Sequence, residues 1–163
     1  MSDFIEPASG VFVEDAFRHL LSREALRATR YQDFFSVCLV KPDSGEAGGG
    51  EDVQQAISRK ITQFLRSTDL VGRVHDGIAI LLLHTEGSDA FKVAERLRAH
   101  IEQVGFPGDS GNPRQITLSV GGVSFPRDGY NDTILLSRAQ THVKEAARLG
   151  GNRVVHAAAD SRG

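Results

Sequence analysis

The sequence predicts an α/β (α+β) protein with a mostly antiparallel central sheet and helices on both faces. Segments with helical periodicity alternate with β-rich apolar runs along the chain. Two of the runs, 70–74 and 78–83, flank an Asp-Gly pair, which is a strong hairpin signal. The resulting order contains β-α-β-β-α-β, which is the order of a ferredoxin-like core.

The composition is that of an ordinary globular domain, with 40% hydrophobic and 25% charged residues among 163. We expect one domain over 1–163, with its core over about 6–155 and a frayed tail over 156–163. A net charge of −2 argues against nucleic acid or an anionic membrane as partner. The absence of a long apolar run or a leader-like N-terminus, together with a single cysteine, Cys38, predicts a cytoplasmic protein without a disulfide.

The first elements are a helix and a buried strand that follow an irregular lead over 1–10. The helix is predicted over 13–29, and its apolar stripe consists of Phe17, Leu20, Leu21 and Leu26. The strand is predicted over 34–40, and Pro42 ends it because proline cannot donate to a central ladder. The glycine-rich residues 43–50 predict a flexible loop, since no Gly-Lys-Ser/Thr follows to make a phosphate-binding loop.

A second helix and the hairpin come next. The helix begins at Glu51 and carries one apolar face made of Val53, Ala56, Ile57, Ile61, Phe64 and Leu65. The hairpin is predicted over about 69–84, with Asp76-Gly77 as a type I′ turn. Since 78–83 is apolar without interruption, we expect the hairpin to lie in the centre of the sheet and not at its edge.

The last third of the chain predicts helix, strand, helix and a short strand. A helix over about 89–104 has the stripe Ala90, Val93, Ala94, Leu97, Ile101 and Val104, and a turn-rich segment follows it. Residues 115–125 alternate as a strand with one better-buried face, and Gly121-Gly122 indicates a bulge or close backbone approach. Asn131 or Asp132 caps the final helix, whose stripe is Leu135, Ala139, Val143 and Ala146. Gly150-Gly151 ends this helix before a strand at Val154-Val155.

The hairpin region resembles that of GGDEF domains, the bacterial diguanylate cyclases of signal transduction. The family has Arg-x-x-Asp, four residues, an aromatic or similar residue, and then Gly-Gly-Asp/Glu-Glu-Phe. Here Arg66-Ser67-Thr68-Asp69 stands at the family's distance, and the signature five are His75-Asp76-Gly77-Ile78-Ala79. The resemblance covers about 6–155, including a closing motif over 138–153. It implies a GGDEF-type fold built on the ferredoxin-like core.

The resemblance also implies that this member is degenerate and inactive. Diguanylate cyclases join two GTP molecules, which requires divalent metal and a carboxylate near the attacking hydroxyl. The family's metal-binding aspartate of the first strand aligns with Lys41, and its two acidic hairpin residues align with Gly77 and Ile78. The phosphate-contacting lysine of the closing motif aligns with Ala147, and the segment that carries a guanine-reading asparagine is shortened. We therefore expect no catalytic residue, no metal and no cofactor.

By the same resemblance, however, this chain keeps the positions of the inhibitory site at which GGDEF domains bind their product, cyclic di-GMP. That site consists of Arg-x-x-Asp and an arginine on the next helix, which correspond to Arg66, Asp69 and Arg96. The planar fork of arginine can donate two hydrogen bonds to guanine O6 and N7, and a carboxylate can accept from the opposite edge. We expect these three residues to meet at the surface, away from the lost active site, and to make the domain a cyclic di-GMP receptor.

Alternatives stay open from the sequence. A domain without activity can serve as a protein-interaction or dimerisation module with no nucleotide ligand, and the arginine-rich face of the first helix suits an acidic partner. Arg66 and Asp69 can form a purely local ion pair. A metal cluster of His75, Asp76 and His84 is disfavoured, because these residues lack the i, i+4 spacing of helical ligand pairs.

Overall fold

The computed structural model describes residues 4–7, 9–43, 51–75, 77–107 and 113–157. The helices are α1 (Glu14–Tyr31), α2 (Glu51–Phe64), α3 (Gly87–Gln103) and α4 (Asp132–Arg148). The strands are β1 (Phe35–Pro42), β2 (Leu70–Val74), β3 (Gly77–Leu83), β4 (Phe106–Pro107), β5 (Pro113–Arg114), β6 (Leu118–Phe125) and β7 (Arg153–His156). The predicted loop over 43–50 lies, apart from its first residue, outside the described residues.

Five strands form one sheet in the order β2-β3-β1-β6-β7, and β4 pairs with β5 in a separate small hairpin. Within the large sheet only the β6–β7 pair is parallel. In the middle of β1, Val37 lies between Leu81 of β3 and Val123 of β6. The predicted mixed α/β class with a mostly antiparallel sheet is therefore confirmed.

The sheet separates two apolar cores. On one face, α2 and α3 contribute Ile57, Ile61, Ala94, Leu97 and Ile101, which pack with Cys38, Val40 and Ile80 of the sheet. On the other face, α1 and α4 contribute Phe17, Leu21, Leu135, Ala139 and Val143, which pack with Val37, Leu39 and Leu81. Alternating side chains of β1 thus enter opposite cores, as a strand covered on both sides requires. Helices cover both faces, as predicted.

Only the second strand of the hairpin, β3, lies inside the sheet. The prediction that the whole hairpin is central is therefore wrong. β3 lies between β2 and β1, whereas β2 is the edge strand of the sheet. The outer side of β2 receives two backbone hydrogen bonds from the segment before α1: Phe12 N–H donates to Val71 O at 2.9 Å, and Arg73 N–H donates to Phe12 O at 2.8 Å. The apolar run predicts burial of β3, but it contains no information about what lies beyond β2.

The turn also differs from the prediction. Val74 pairs with Gly77, so Gly77 lies in the ladder and not in the turn, and Asp76 lies outside the described residues. Gly77 belongs to β3 and does not adopt the left-handed backbone of a type I′ turn. A Cβ at this position would lie 2.6 Å from Val40 O. Glycine is therefore required here by the close approach of β1 and not by the turn.

The apolar stripe of α1 is shifted from the predicted one. Leu26 is 70% exposed, and Ala25 and Ala28 are buried beside Phe17 and Leu21. Phe17, Leu21 and Ala25 follow each other at four-residue spacing on one face of the helix. Leu26 comes five positions after Leu21 and points away from that face. The prediction favoured the larger side chain, whereas the phase of the helix is fixed by Phe17 and Leu21.

Most local signals in the second half are confirmed. Asn131 caps α4, because its Oδ1 accepts from Ile134 N–H at 2.9 Å. Gly150 and Gly151 have φ values of 117° and 75°, as a helix-terminating segment requires. A Cβ at Gly121 would clash with the backbone of α4 at Ala139 O and Val143 N, which confirms the close approach. β6 is buried along its whole length and not on one face only, since helices cover both of its sides.

The first strand is longer than predicted. β1 extends to Pro42, beyond the predicted end, because its last two residues pair with β6 alone after pairing with β3 stops at Val40. The missing N–H of proline then leaves no ladder partner unsatisfied on the β3 side.

Among the described residues, no helix is long and apolar enough to cross a membrane.

Candidate functional site

Arg66 and Asp69 form a two-point ion pair between the end of α2 and the start of β2. Arg66 Nη2 lies 3.0 Å from Asp69 Oδ1, and Nε lies 3.2 Å from Oδ2. The backbone N–H of Arg66 also donates to Asp69 Oδ2 at 3.2 Å. The Asp69 side chain is only 2% exposed, whereas that of Arg66 is 59% exposed. The carboxylate is thus covered by the arginine that it holds.

The same guanidinium is anchored to the far end of the hairpin. Arg66 Nη2 donates to Leu83 O at 3.2 Å and to Thr85 Oγ1 at 3.1 Å. The hydrogen bonds that Arg66 donates to the Asp69 carboxylate raise the pKa of Arg66 further above its usual range, so this group stays cationic. The Nη1 group makes no hydrogen bond to the part of the chain that the structure describes. Arg66 is therefore oriented and keeps donors for a ligand.

Arg96 reaches the same place from α3. Arg66, Asp69 and Arg96 line one cavity of about 870 Å³, which we call the RxxD cavity. Its wall also includes Phe64, His84, Asp89, Phe91, Lys92 and Glu95. A volume of this size lies in the range of small-molecule sites. The structure thus brings together the three residues that the sequence selected, and their role in binding stays a prediction.

Arg96 and its neighbour Arg98 have different surroundings. Arg98 is held by Glu95 at 3.0 Å, by Glu102 at 3.2 Å and by Asn152 at 2.8 Å. Arg96 is exposed, and it makes no hydrogen bond or ion pair with the described residues. Of the two arginines, Arg96 is therefore the one that can turn to a ligand in the RxxD cavity.

Several residues of this cavity were not selected from the sequence. Phe91 and Lys92 lie one turn before Glu95 and Arg96 on α3, so their spacing from Arg96 was a usable signal. His84 had no such signal. It has a left-handed backbone, with φ of 51°, and its Nδ1 lies 3.1 Å from Asp33 Oδ1. Only the bend between β3 and α3 places its ring at the cavity.

A second cavity, of about 500 Å³, lies at the turn end of the hairpin, and we call it the turn cavity. It is lined by Arg18, Leu39, Lys41, Val74, His75, Thr133, Leu136, Ser137, Gln140 and Lys144. None of these described lining residues is a carboxylate. The turn cavity is where the resemblance locates the metal-dependent chemistry of the family. Lys41 offers an ammonium group there, which cannot ligate a hard cation.

Asp43, two residues after Lys41, accepts three hydrogen bonds in the structure. Its oxygens accept from the Thr117 and Ser119 hydroxyls and from Asn152 N–H. These bonds tie the end of β1 to β6 and to the turn before β7. Among the described residues, no three His, Cys, Asp or Glu side chains come together as a metal site would require. Cys38 is buried in β1, and burial raises its thiol pKa to about 12, so it does not supply a thiolate nucleophile.

Comparison with known proteins identifies the family. The model of the family "Diguanylate cyclase, GGDEF domain" matches residues 14–153. The response regulator PleD of Caulobacter vibrioides is 29% identical over 112 residues, which are 68% of this chain and 25% of PleD. This chain thus spans about a quarter of that curated relative.

Two solved structures show the same fold. The coiled coil and GGDEF domain of DgcB from Caulobacter crescentus, in complex with c-di-GMP, matches with a TM-score of 0.84 and 17% identity, over 96% of this chain and 86% of that one. The diguanylate cyclase SiaD from Pseudomonas aeruginosa, in complex with its activator SiaC, matches with a TM-score of 0.84 and 24% identity, over 94% of this chain and 62% of that one. Since the family model matches residues 14–153, which are most of the sequence, the chain belongs to the GGDEF family.

Proposed function

We propose that this domain is a catalytically inactive GGDEF domain that acts as a cyclic di-GMP receptor through Arg66, Asp69 and Arg96. The observation that carries the proposal is the convergence of these three residues on the RxxD cavity. DgcB, which shares the fold, has been solved with c-di-GMP bound. The GGDEF domain is thus a suitable scaffold for this ligand.

Arg66 and Arg96 serve different parts of the recognition. Arg66 is oriented by Asp69 and presents its free Nη1 donors to a guanine edge. Arg96 has no partner among the described residues and can follow the ligand, including its phosphates. The rings of Phe64 and Phe91 line the same cavity and offer surfaces on which a base can stack.

The geometry changes the role proposed for Asp69. A side chain that is 2% exposed and already holds Arg66 has little capacity left for a guanine edge. We therefore assign Asp69 to the orientation of Arg66 and not to direct contact with the base. An oriented guanidinium loses less conformational entropy when it binds, which raises affinity.

Binding is tested by calorimetric titration with cyclic di-GMP at physiological salt. Each arginine–guanine contact contributes about 1–3 kcal/mol, so Arg66→Ala or Arg96→Ala should weaken binding about 5- to 150-fold. Arg23→Ala, an exposed arginine of α1 outside the cavity, is the matched control and should bind as the unmodified protein does. Absence of binding, or binding that survives both cavity substitutions unchanged, would contradict the proposal.

The proposed inactivity rests on the turn cavity. Lys41 occupies the end of β1, and Gly77 and Ile78 begin β3, so the positions at which the family carries carboxylates have none. Purified protein with GTP and Mg²⁺ or Mn²⁺ should form no cyclic di-GMP, as measured by mass spectrometry. Product formation that is abolished by Ile78→Ala would show that the hairpin retains catalytic function.

A second candidate function, a dimerisation or docking module, is favoured by the apolar surface around α1. Phe4, Leu26 and Tyr31 are 55%, 70% and 66% exposed. Phe4 also lines an apolar groove with Phe12 and Leu20. SiaD, a relative in fold, has been solved with a protein activator. Light scattering should then show a dimer or a complex that Leu26→Ser dissociates. A protein that stays monomeric at all concentrations would contradict this second function. If it also fails to bind cyclic di-GMP, neither function is supported.

A further inference from the structure

We propose that Thr85 and Ser36 are positioning residues of the RxxD cavity, which hold the Arg66 guanidinium in its binding orientation before a ligand arrives. The Arg-x-x-Asp motif includes neither of them. The inference deepens the proposed function, on which its affinity readout rests. It depends on a chain of buried hydrogen bonds that connects Arg66 with β1 and β6.

Two of the oxygens that face Arg66 lie on the bend after β3, which consists of Leu83, His84 and Thr85. Arg66 Nη2 donates to Leu83 O at 3.2 Å and to Thr85 Oγ1 at 3.1 Å. Thr85 Oγ1 donates its single proton to Leu83 O at 2.8 Å, so its lone pairs are left to accept from Arg66. The orientation of the guanidinium therefore depends on the position of this bend as well as on Asp69.

The bend lies beyond the strand ladder and needs anchors of its own. β3 ends at Leu83, where its pairing with Phe35 of β1 also ends. One anchor is exposed: His84 Nδ1 lies 3.1 Å from Asp33 Oδ1, and the His84 side chain is 65% exposed. Because solvent screens such a pair, it contributes little to the position of the bend.

The second anchor is Ser36 of β1, and it is buried. Its hydroxyl donates to Thr85 O at 2.7 Å, and Ser36 and Thr85 are 0% and 5% exposed. A buried hydrogen bond is costly to lose, since the carbonyl that it served stays unsatisfied. Of the two anchors, Ser36 therefore determines where the bend lies.

Ser36 is unusual in its strand, because the neighbouring side chains from Phe35 to Val40 are apolar or the buried thiol of Cys38. Burial of a hydroxyl costs free energy unless the group is hydrogen-bonded. An alanine would fill this position without that cost, but it would leave Thr85 O without its donor. The hydroxyl is thus explained by its bond to the bend that carries Arg66.

The neighbouring strand β6 completes the network. Since the one hydroxyl proton of Ser36 goes to Thr85 O, Ser124 is the donor in the 2.9 Å bond between the two serine hydroxyls. Ser124 N–H donates to Asp128 Oδ2 at 2.8 Å, and Asp128 N–H donates to Ser124 O at 2.8 Å. Arg66 is therefore connected, through Thr85 and two serines, to rigid positions inside the sheet.

The first test needs no ligand and follows the Arg66 side chain by NMR, with the arginine nitrogens labelled and the signals assigned by their absence from Arg66→Ala. In the unmodified protein, rotation about the Cζ–Nε bond should be slow, so that Nη1 and Nη2 give separate signals. Thr85→Val, which keeps the branched shape, and Ser36→Ala should each accelerate this rotation about fivefold. Thr85→Ser, which restores the hydroxyl, should restore slow rotation.

The second test is cyclic di-GMP affinity, measured by calorimetry at physiological salt. Thr85→Val and Ser36→Ala should each weaken binding about fivefold, as the loss of one neutral hydrogen bond predicts. Added to Arg66→Ala, neither substitution should cause a further loss, because both act through Arg66.

Ser58→Ala is the matched control for both tests. The Ser58 side chain is also buried, at 0% exposure, and lies on α2. Its Oγ has no hydrogen-bond partner in the part of the chain that the structure describes. This substitution should change neither the rotation of Arg66 nor the affinity for cyclic di-GMP.

The outcomes separate this inference from the proposed function. A lower melting temperature of Thr85→Val and Ser36→Ala, with unchanged Arg66 rotation and unchanged affinity, would overturn the inference, because the hydroxyls would then only stabilise the fold. Rapid rotation in the unmodified protein, or a further loss of affinity on top of Arg66→Ala, would overturn it as well. Slow rotation that both substitutions accelerate, in a protein that binds no cyclic di-GMP, would contradict the proposed function and support the positioning of Arg66.

Discussion

At the start of β2 the charge of Arg66 is balanced by a buried carboxylate, whereas at the turn of the same hairpin Lys41 and Lys144 have no such partner among the described residues. The first arrangement fixes a planar guanidinium, which favours directional recognition of a base edge. The second leaves exposed ammonium groups at a concave surface, and such a surface attracts anions with little demand on geometry. One hairpin thus presents two cavities of different chemistry.

The backbone around the two cavities differs as well. The RxxD cavity forms where α2, β3 and α3 end or begin, so long side chains can enter it without disturbing the sheet. The turn end is tighter, since Gly77 faces Val40 O across the β1–β3 pair. The fold should therefore tolerate substitutions at the RxxD cavity more easily than substitutions at the turn cavity.

The largest expected effect comes from double substitutions at the two cavities. Arg66→Ala with Arg96→Ala should weaken cyclic di-GMP binding more than about 100-fold, because two independent contacts are lost. Lys41→Ala with Lys144→Ala, at the turn cavity, should leave cyclic di-GMP binding unchanged, because the two cavities share no lining residue. Calorimetry on both variants with cyclic di-GMP checks this, and a loss of binding in the lysine variant would mean that the two cavities are not independent.

The second expected effect is on stability at the turn. Gly77→Ala introduces a Cβ at 2.6 Å from Val40 O and should lower the free energy of unfolding by about 2 kcal/mol, as backbone shifts in a packed sheet do. Urea unfolding followed by circular dichroism measures it. Cyclic di-GMP affinity should stay unchanged where the variant is folded. An unfolding free energy equal to that of the unmodified protein would show that β1 and β3 are further apart than described.

The third effect concerns the ion pair of the RxxD cavity. Asp69→Asn keeps the shape of the side chain and removes the charge that orients Arg66, so cyclic di-GMP binding should weaken about tenfold. If Asp69 acts through Arg66, adding Asp69→Asn to Arg66→Ala should cause no further loss. Additive losses in this double-mutant cycle would instead show that Asp69 contacts the ligand itself.

The smallest effect concerns the edge of β2 beside the turn. Arg73 Nε lies 3.0 Å from Glu6 Oε2, and this hydrogen bond holds the pKa of Glu6 below its usual range. Such a carboxylate stabilises the fold above its unfolded pKa of about 4.3, and this contribution is lost as the pH falls through its folded pKa. Glu6→Gln should thus be less stable near neutral pH by under about 1 kcal/mol.

That difference should shrink as the pH falls from about 6 to about 3, because the unmodified carboxyl becomes neutral. Urea unfolding at several pH values measures the difference, and cyclic di-GMP affinity serves as a control that should not change. A difference that is independent of pH would show that Glu6 stabilises the segment by packing and not by its charge.

The sequence by itself determined the elements whose causes are local. The cap at Asn131, the stripes of α3 and α4 and the uninterrupted apolar run of β3 depend on residues within a few positions of one another, so periodicity and capping rules found them. The spacing between Arg66 and Asp69 is local in the same way, and the ion pair that they form follows from it.

Only the tertiary structure decided where those elements meet. The edge position of β2, the approach of Gly77 to Val40 and the exposure of Leu26 depend on strand order and helix phase, which arise from contacts between distant parts of the chain. Arg66 and Arg96 line one cavity, and Lys41 and Lys144 line the other, for the same reason. A local pattern cannot contain these distances, because each is fixed by how two separate elements pack on the sheet.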